Sequence, residues 1–516
     1  MLVALLPLVS LLLGSLDNAA LPLRLEIDGA HHGIGVGTTG AVVLSPHDAD
    51  FYNASLDWNQ GLCRPTPAVI VFASNAIDVA NAVKYAHTNG LAVTVRSGRH
   101  SYECFSVGQG SMVIDVSALR HISIQQQSPE LWTVSAGPGV QLIELYAALW
   151  QHGELVFPGG SCPTVALGGF TLGGGYGFLS RQLGLGADQL LSAEVVLANG
   201  AIYHTTAGGN DMSSLVWGLQ GGGNGNFGVV TNMTLRATLL PSAQRHSIVH
   251  YTVYWHVADA VTAFAAWQSL APTTDRRLSL SFVVYENSVK ALAQFLGTQA
   301  ELESLLAPLL AVGKPYDTSV QVFTSYLNAT LDFAGCGTLA QCLAQTHQWP
   351  ASQPPLAWKA KSLYISVPLN DTAIARFVSW MLDPLKYRQC CAGQFAGFML
   401  DPYGGAIADR APNATAFPHR NALYHVQLMG YWNATSSADR NVTEQWLTEV
   451  YADLQALVPP PYGAYRNYPD LDLGSTFMAM YYGTENAAAL EALKARYDPL
   501  NTFRYPQSVP LASAAP

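Results

Sequence analysis

Charge is what this chain has least of. Asp, Glu, Lys and Arg make up only 12% of its 516 residues, with a formal balance of −10, and neither sign gathers into a block. Without a clustered Lys/Arg footprint, a nucleic-acid partner is not expected. Long apolar runs are scarce too. MLVALLPLVSLLLG at the start is too short to span a bilayer comfortably, and nothing later is long and apolar enough, so no membrane span is expected. Absent as well are a phosphate-binding P-loop, an HExxH zinc helix and a GxSxG nucleophile elbow. Gly223-x-Gly225-x-x-Gly228 matches the dinucleotide fingerprint in letters only. That fingerprint needs a helix after it, so that phosphate meets a helix N-terminus, and the following VVTNMTLR reads as a strand.

Apolar residues reach 49%, which suits a large buried interior divided into two or three folding units. The opening apolar stretch, followed by Ala19 and Ala20, has the form of a secretory signal over residues 1–20. Seven acceptor patterns for N-glycosylation follow, at Asn53, Asn232, Asn328, Asn370, Asn413, Asn433 and Asn441. Together they point to the secretory route, and glycans would supply the solubility that charge does not. There are seven cysteines. In an oxidising compartment one of them is left over. Cys336 and Cys342 are close enough to close a small loop, whereas the adjacent Cys390 and Cys391 point to different partners. If Cys162 carries a ligand, the parity of the other six works.

The chain is organised around Leu155 to Asp188, LVFPGGSCPTVALGGFTLGGGYGFLSRQLGLGAD. Glycine at this density is costly unless tight turns or close approach require it, and the cluster with its cysteine suits a large planar ligand seated on backbone. Before it, AVIVFAS, AIDVANAVKYAHTNG and LAVTVRSG read as a β-α-β unit that delivers Arg96-Ser97-Gly98-Arg99-His100-Ser101-Tyr102. After it, SAEVVLANGAIYHT reads as a hairpin turning at Asn199-Gly200. Beyond Leu240, strand-like and helical runs alternate as in an α+β unit with one antiparallel sheet. There LYHVQLMGYW puts His425, Gln427, Met429 and Tyr431 on one face.

These stretches resemble the berberine-bridge-enzyme-like oxidases, within the flavoprotein superfamily that includes vanillyl-alcohol oxidase. RSGRHSYE, GGSCPTVALGGFTLGGGYG, WGLQGGGNGNFGVVT, FPHRNALYHVQ, AYRNYPDLDLG and YYGTENAAALEALKARYDPLNTFRYPQS occur in the family's order. The resemblance implies an α+β fold: a two-lobed PCMH-type FAD-binding domain and a substrate domain whose antiparallel sheet is flanked by helices. The implied divisions are an N-terminal segment at 21–65, the FAD domain at 66–240, the substrate domain at 241–465, and a C-terminal segment at 466–516 returning to the FAD domain.

By motif, His100 and Cys162 would tether FAD twice. Arg96, Ser97, Gly98, Ser101, Gly168, Gly169, Gly174, Gly175, Gly228 and Val229 would complete the cofactor site. Arg99 departs from the family, which usually has glycine there. Tyr468 is implied as the base for a substrate hydroxyl, with Tyr176 as a hydrogen-bond donor. Gln427 stands where the alkaloid-cyclising member has glutamate. An amide cannot take a proton at neutral pH, so Gln427 would only orient substrate. Holding Tyr468 as phenolate at pH 7 would cost about 4 kcal/mol, so a cation should sit beside it: His425, or less favourably Lys359, Lys361 or Arg466. Val165 matches a position that gates O2, and valine there accompanies oxidases. The implied activity is that of a secreted oxidase that takes hydride from an alcohol carbon and releases hydrogen peroxide. Its substrate would be a mono- or oligosaccharide oxidised at the anomeric carbon. An aromatic allylic alcohol, an oxygen-insensitive dehydrogenase and a non-catalytic carbohydrate-binding scaffold are the alternatives.

Overall fold

The computed structural model describes residues 40–62, 64–208, 211–285, 288–350, 356–382 and 396–512. The signal-like opening, Cys63, Cys390 and Cys391 lie outside these residues.

Three sheets divide the chain. The first carries four strands in the order Val42–Leu44, Val69–Phe72, Met112–Asp115, Val93–Arg96. Its last three strands run parallel. Helix Ala76–Thr88 makes the crossover, capped by Asn75, whose side chain accepts from Ile77 N and Asp78 N. Its apolar residues Val79, Ala82, Val83 and Ala86 are buried at the spacing of one helical face. The β-α-β unit is therefore present, but its two strands are not neighbours, because Met112–Asp115 lies between them. The second sheet is antiparallel, in the order Ile122–Ser128, Leu131–Ala136, Val229–Ala237, Leu190–Val196, Ile202–Thr206. The hairpin at Asn199-Gly200 joins its last two strands, with Gly200 at φ 76°. Val229–Ala237 is the strand that disqualifies the dinucleotide fingerprint.

The third sheet has seven antiparallel strands. In spatial order they are Pro315–Phe323, Ile248–Trp255, Ser288–Leu296, Leu278–Tyr285, Ala396–Pro402, Tyr424–Asn433 and Leu356–Ile365. One face is apolar and packs on helices Ala260–Leu270, Asp371–Leu382 and Ser437–Ala456 through residues such as Phe282, Phe398, Val426 and Leu428. Side chains alternate across a strand, so the other face is set by His425, Gln427 and their neighbours. It is the more polar face, and it meets the lobe that carries the two smaller sheets.

The C-terminal residues close that lobe. Val93 N donates to Thr502 O at 2.8 Å, and Val93 bridges Phe503. Lys494 is fully buried, donating to Asn226 O at 2.8 Å and paired with Asp498 at 2.7 Å. Cys336 and Cys342 form a disulfide and Cys104 is disulfide-bonded as well, whereas Cys162 is a free thiol. Among the described residues no helix is long and apolar enough to cross a membrane.

Candidate active site and cofactor cavity

A cavity of about 770 Å³ runs between the lobe of the two smaller sheets and the polar face of the large sheet. Three chain segments that are far apart in sequence converge on it: Arg96 to Tyr102, Gly160 to Phe170, and Tyr465 to Pro469. Arg96 ends the strand Val93–Arg96, so the first segment leaves the carboxyl end of a parallel strand, where α/β sheets bind their ligands.

His100 and Cys162 meet at one hydroxyl. His100 Nε2 lies 3.1 Å from Thr164 Oγ1, and Cys162 Sγ lies 3.8 Å from the same oxygen. Trp58 stacks on the His100 ring at 5.7 Å and donates from Nε1 to Gly98 O. Burial pushes the imidazole pKa down to about 4. His100 is therefore a neutral nucleophile-type nitrogen at physiological pH.

The glycines divide into two kinds. Gly173 and Gly177 serve protein packing: a Cβ on the first would fall 1.9 Å from Asn467 Oδ1, and on the second 1.8 Å from Gly159 O. At Gly169 the nearest atoms are 3.8 and 4.0 Å from such a Cβ, so a side chain there would project into cavity space rather than strike the fold. Most of the cluster is thus explained by close chain crossing, and only part by ligand approach.

Arg96, Ser97, Gly98, Ser101, Gly168, Gly169 and Gly228 line the cavity, as do Val165, Tyr176 and Tyr468. Gly174, Gly175 and Val229 do not. Gly174 abuts Tyr465 and Phe417, Gly175 N donates to the Tyr465 hydroxyl at 2.7 Å, and Val229 belongs to the core of the parallel sheet. Arg99 occupies a left-handed conformation, φ 64°, which favours glycine. An ion pair with Asp115 at 3.3 Å and a face contact with Trp349 at 4.1 Å hold it there. Arg96 pairs with the same carboxylate at 2.8 Å.

Tyr468 stacks on Tyr102 at 5.6 Å and packs edge-on against Tyr465 at 4.9 Å. Burial pushes its hydroxyl well above the usual phenol range, and Tyr102, Asp401 and Tyr465 push the same way. Among the described residues, none of the four expected cations is delivered to it. His425 packs on Tyr468 at 5.2 Å, but burial lowers its pKa to about 3, so it is neutral. Lys359 and Lys361 lie opposite Gly430 and Leu428, out of phase with His425 and Gln427 and on the helix-packed side. Both are tied to Asp470 and Asp472. Arg466 turns to Tyr505, donating to its hydroxyl at 2.8 Å. Tyr468 is therefore held as the neutral phenol.

A carboxylate lies on the same cavity wall. Asp401 is buried on the cavity wall. Ser281 donates to its Oδ1 at 2.7 Å, and Oδ2 is sealed from solvent without a hydrogen-bond partner. Burial raises its pKa to about 6, against the Ser281 bond, which lowers it. Gln427 and His425 stand beside it in the sheet: His425 is directly opposite Asp401, and Gln427 is opposite Met399. Gln427 Nε2 donates to the Tyr102 hydroxyl at 3.3 Å, while Gln427 Oε1 and His425 Nε2 are buried without partners. Tyr176 donates to Pro402 O at 3.0 Å and stacks on Tyr403 at 5.2 Å. Asp401, Tyr102, Trp58 and Thr164 were missed as site residues. The signal for Asp401 was available: a lone acid at the end of the apolar run AGFMLDP, in phase with Met399.

A cavity of this size, lined by backbone at Gly98, Gly169 and Gly228 and by the unpartnered amide oxygen of Asn224, fits an extended, largely planar cofactor. Residues 67–206 match the family described as FAD binding domain, and residues 464–510 match berberine and berberine-like proteins. An FAD-linked oxidoreductase of Bacillus subtilis, YgaK, is 34% identical over 92% of this chain and 97% of its own. Berberine bridge enzyme-like 21 of Arabidopsis thaliana is 29% identical over 86% of this chain and 84% of its own. The solved structure of Physcomitrella patens BBE-like 1 superimposes with a TM-score of 0.81 at 28% identity, covering 93% of this chain and 99% of that one. A chitooligosaccharide oxidase aligns at 25% identity and TM-score 0.80, over 91% and 97% of the two chains. Fold and cavity define an FAD-linked oxidoreductase. The chain belongs to the berberine-bridge-enzyme-like family.

Proposed function

We propose that this protein oxidises a sugar hemiacetal to the lactone, with Asp401 taking the hydroxyl proton while Tyr468, as neutral phenol, donates a hydrogen bond to the same group. The observation that carries this reading is the unpartnered Oδ2 of Asp401 in a cavity that Tyr468, His100 and Cys162 also line. A carboxylate with a pKa near 6 is ionised at neutral pH yet basic enough to share a proton in the transition state. FAD, when bound, supplies the hydride acceptor and, through O2, its own reoxidation to give hydrogen peroxide. The neutral amide of Gln427 orients substrate, since it has an acceptor to spare. Exclusion of water by Tyr102, Tyr465 and Tyr468 strengthens each of these contacts.

His100 and Cys162 are the attachment points for a doubly tethered flavin in this reading, supported by their shared approach to Thr164. Val165, on the cavity wall, leaves O2 a path to the reduced cofactor. The sugar preference is supported by the polar face offered by Ser281, Asp401 and Gln427 and by the likeness to a chitooligosaccharide oxidase. Secretion is supported by exposed glycosylation patterns at Asn53, Asn328, Asn370, Asn433 and Asn441. The test is anaerobic mixing of the holoenzyme with cellobiose and, separately, with coniferyl alcohol. Bleaching of flavin absorbance by cellobiose, and peroxide release in air, are expected. Bleaching by coniferyl alcohol alone would overturn the sugar assignment.

A further inference from the structure

After strand Pro315–Phe323 the chain leaves the large sheet and crosses to the other lobe. Helices Tyr326–Phe333 and Leu339–Leu343 both pack on helix Leu142–Gly153, and the Cys336–Cys342 disulfide closes the turn between them. A strap follows, from Gln345 to Pro350. Gln345 is exposed, and it lines the cavity together with Gln348, so the strap borders the cavity mouth.

The strap is fixed at two places, and each involves a residue in the left-handed region. His347 has φ 56° and Arg99 has φ 64°, values that disfavour any residue with a Cβ. Such strain persists where surrounding contacts over-determine it. At the first place, His347 Nε2 lies 2.9 Å from Glu144 Oε1, and His347 N donates to Gln141 Oε1 at 3.3 Å. Gln141 and Glu144 open helix Leu142–Gly153. Its first amides, Leu142 N and Ile143 N, donate to Val165 O and Pro163 O, so this grip passes directly to the loop of Cys162. At the second place, the Arg99 guanidinium carbon lies 4.1 Å from the Trp349 ring centre, and Trp349 packs edge-on against Phe72 at 6.0 Å. Arg99 immediately precedes His100. Arg99 O accepts from Trp58 N at 3.0 Å, and the Trp58 ring stacks on His100. Asp115 is already bonded by Arg96 at 2.8 Å, so ion pairing does not by itself account for an arginine where the backbone suits glycine.

We propose that the strap sets the gap between the two attachment loops, with Arg99 and His347 as positioning residues. Trp349 on Arg99 fixes the His100 loop, and His347 on Gln141 and Glu144 fixes the Cys162 loop. The inference rests on reading His100 and Cys162 as the two points of flavin attachment. Two side chains can reach one rigid ring only if their spacing is held before the ring arrives.

The test maps flavin-linked peptides of the holoenzyme by mass spectrometry and follows hydrogen exchange in the same samples. Trp349→Ala should lower the His100 link about tenfold relative to the Cys162 link, and His347→Ala should do the reverse. Tenfold is the effect of one cation–π contact or charge-assisted hydrogen bond. Trp349→Phe and His347→Gln should restore most of each link. Loosened packing alone would weaken both links together. Equal losses in the two alanine variants, or full double linkage in either, would therefore overturn the proposal. Hydrogen exchange separates the strap from the attachment reading. If wild type carries no covalent flavin, that reading fails. The strap then stands only if His347→Ala speeds exchange at Leu142 and Ile143 about tenfold and spares Trp58, with the converse in Trp349→Ala; any other pattern overturns it. Should the alanine variants not fold, wild-type exchange decides. Residues 345–350 protected together with both loops would support the proposal, and free exchange of the strap over protected loops would overturn it.

Discussion

Ser281 donates to only one oxygen of Asp401, at 2.7 Å, and the other faces the cavity wall with no partner. Half of a buried carboxylate is satisfied and half is in reserve, an arrangement that stability alone does not favour. Asp401→Asn should therefore cost about 10²- to 10⁴-fold in kcat/KM, the range of a lost general base, while leaving flavin content unchanged. Tyr468→Phe removes a donor rather than the base, and the loss should be smaller. If Asp401→Asn keeps near-normal kcat/KM, the proton acceptor lies elsewhere.

The pH dependence follows with a definite sign. The folded pKa of Asp401 is raised to about 6 from 3.8, and the proposed role as base requires the ionised form. Activity should rise through about pH 6 and level off above it, and this limb should vanish in Asp401→Asn. Stability runs the other way. A raised carboxyl pKa contributes most below its unfolded value, and the contribution is lost as pH climbs through 6. Asp401→Asn should thus raise the unfolding temperature at pH 8 relative to wild type, and the gain should fade towards pH 4. A gain that is constant with pH would show that ionisation of Asp401 is not its source.

Flavin retention after acid precipitation reports on His100 and Cys162. Either single alanine variant should keep yellow colour in the pellet through the remaining bond, and His100→Ala/Cys162→Ala should release all of it. Colour lost from the wild-type pellet would remove covalent attachment from the account.

Val165 can be probed without touching binding. Val165→Ile adds one methylene to the cavity wall. It should slow reoxidation of reduced flavin by O2 about tenfold, a barrier of about 1.4 kcal/mol, with anaerobic reduction by sugar unaffected. Parallel changes in both half-reactions would point to a displaced cofactor instead of a blocked gas path.

Arg99 sets strain against charge. Arg99→Gly relieves a left-handed φ worth about 1–2 kcal/mol. It also leaves Asp115 with Arg96 alone, and breaking a buried pair costs about 3–5 kcal/mol. The variant should unfold at a lower temperature than wild type. Equal or greater stability would mean that Asp115 is satisfied by Arg96 without help.

Much of the architecture could be read from periodicity. Period-2 runs such as LYHVQLMGYW and LSLSFVVY became strands of the large sheet, and AIARFVSWMLDPL became helix Asp371–Leu382. Ser288–Leu296 and Pro315–Phe323 carried no comparable signal, since one is buried along nearly its whole length and the other exposed along most of its length, and neither follows the alternation of a half-buried strand. At the site, motifs located His100, Cys162, Tyr176 and Tyr468 on one cavity. They could not supply the electrostatics. His425 as a cation failed because burial outweighs any neighbour, and Lys359 and Lys361 failed on strand parity, which depends on a register that sequence leaves open. Asp401 went unnoticed because its role depends on Ser281, 120 positions away. Nothing local marks that pairing.

The clasp of Val93 by Thr502 and of the Asn226 loop by Lys494 bears on how the polypeptide is made. A ribosome releases the cavity-lining loops hundreds of codons before the residues that pin them in place. Loading of the prosthetic group must therefore wait for termination, and nascent chains stalled short of residue 494 should emerge colourless and open to protease.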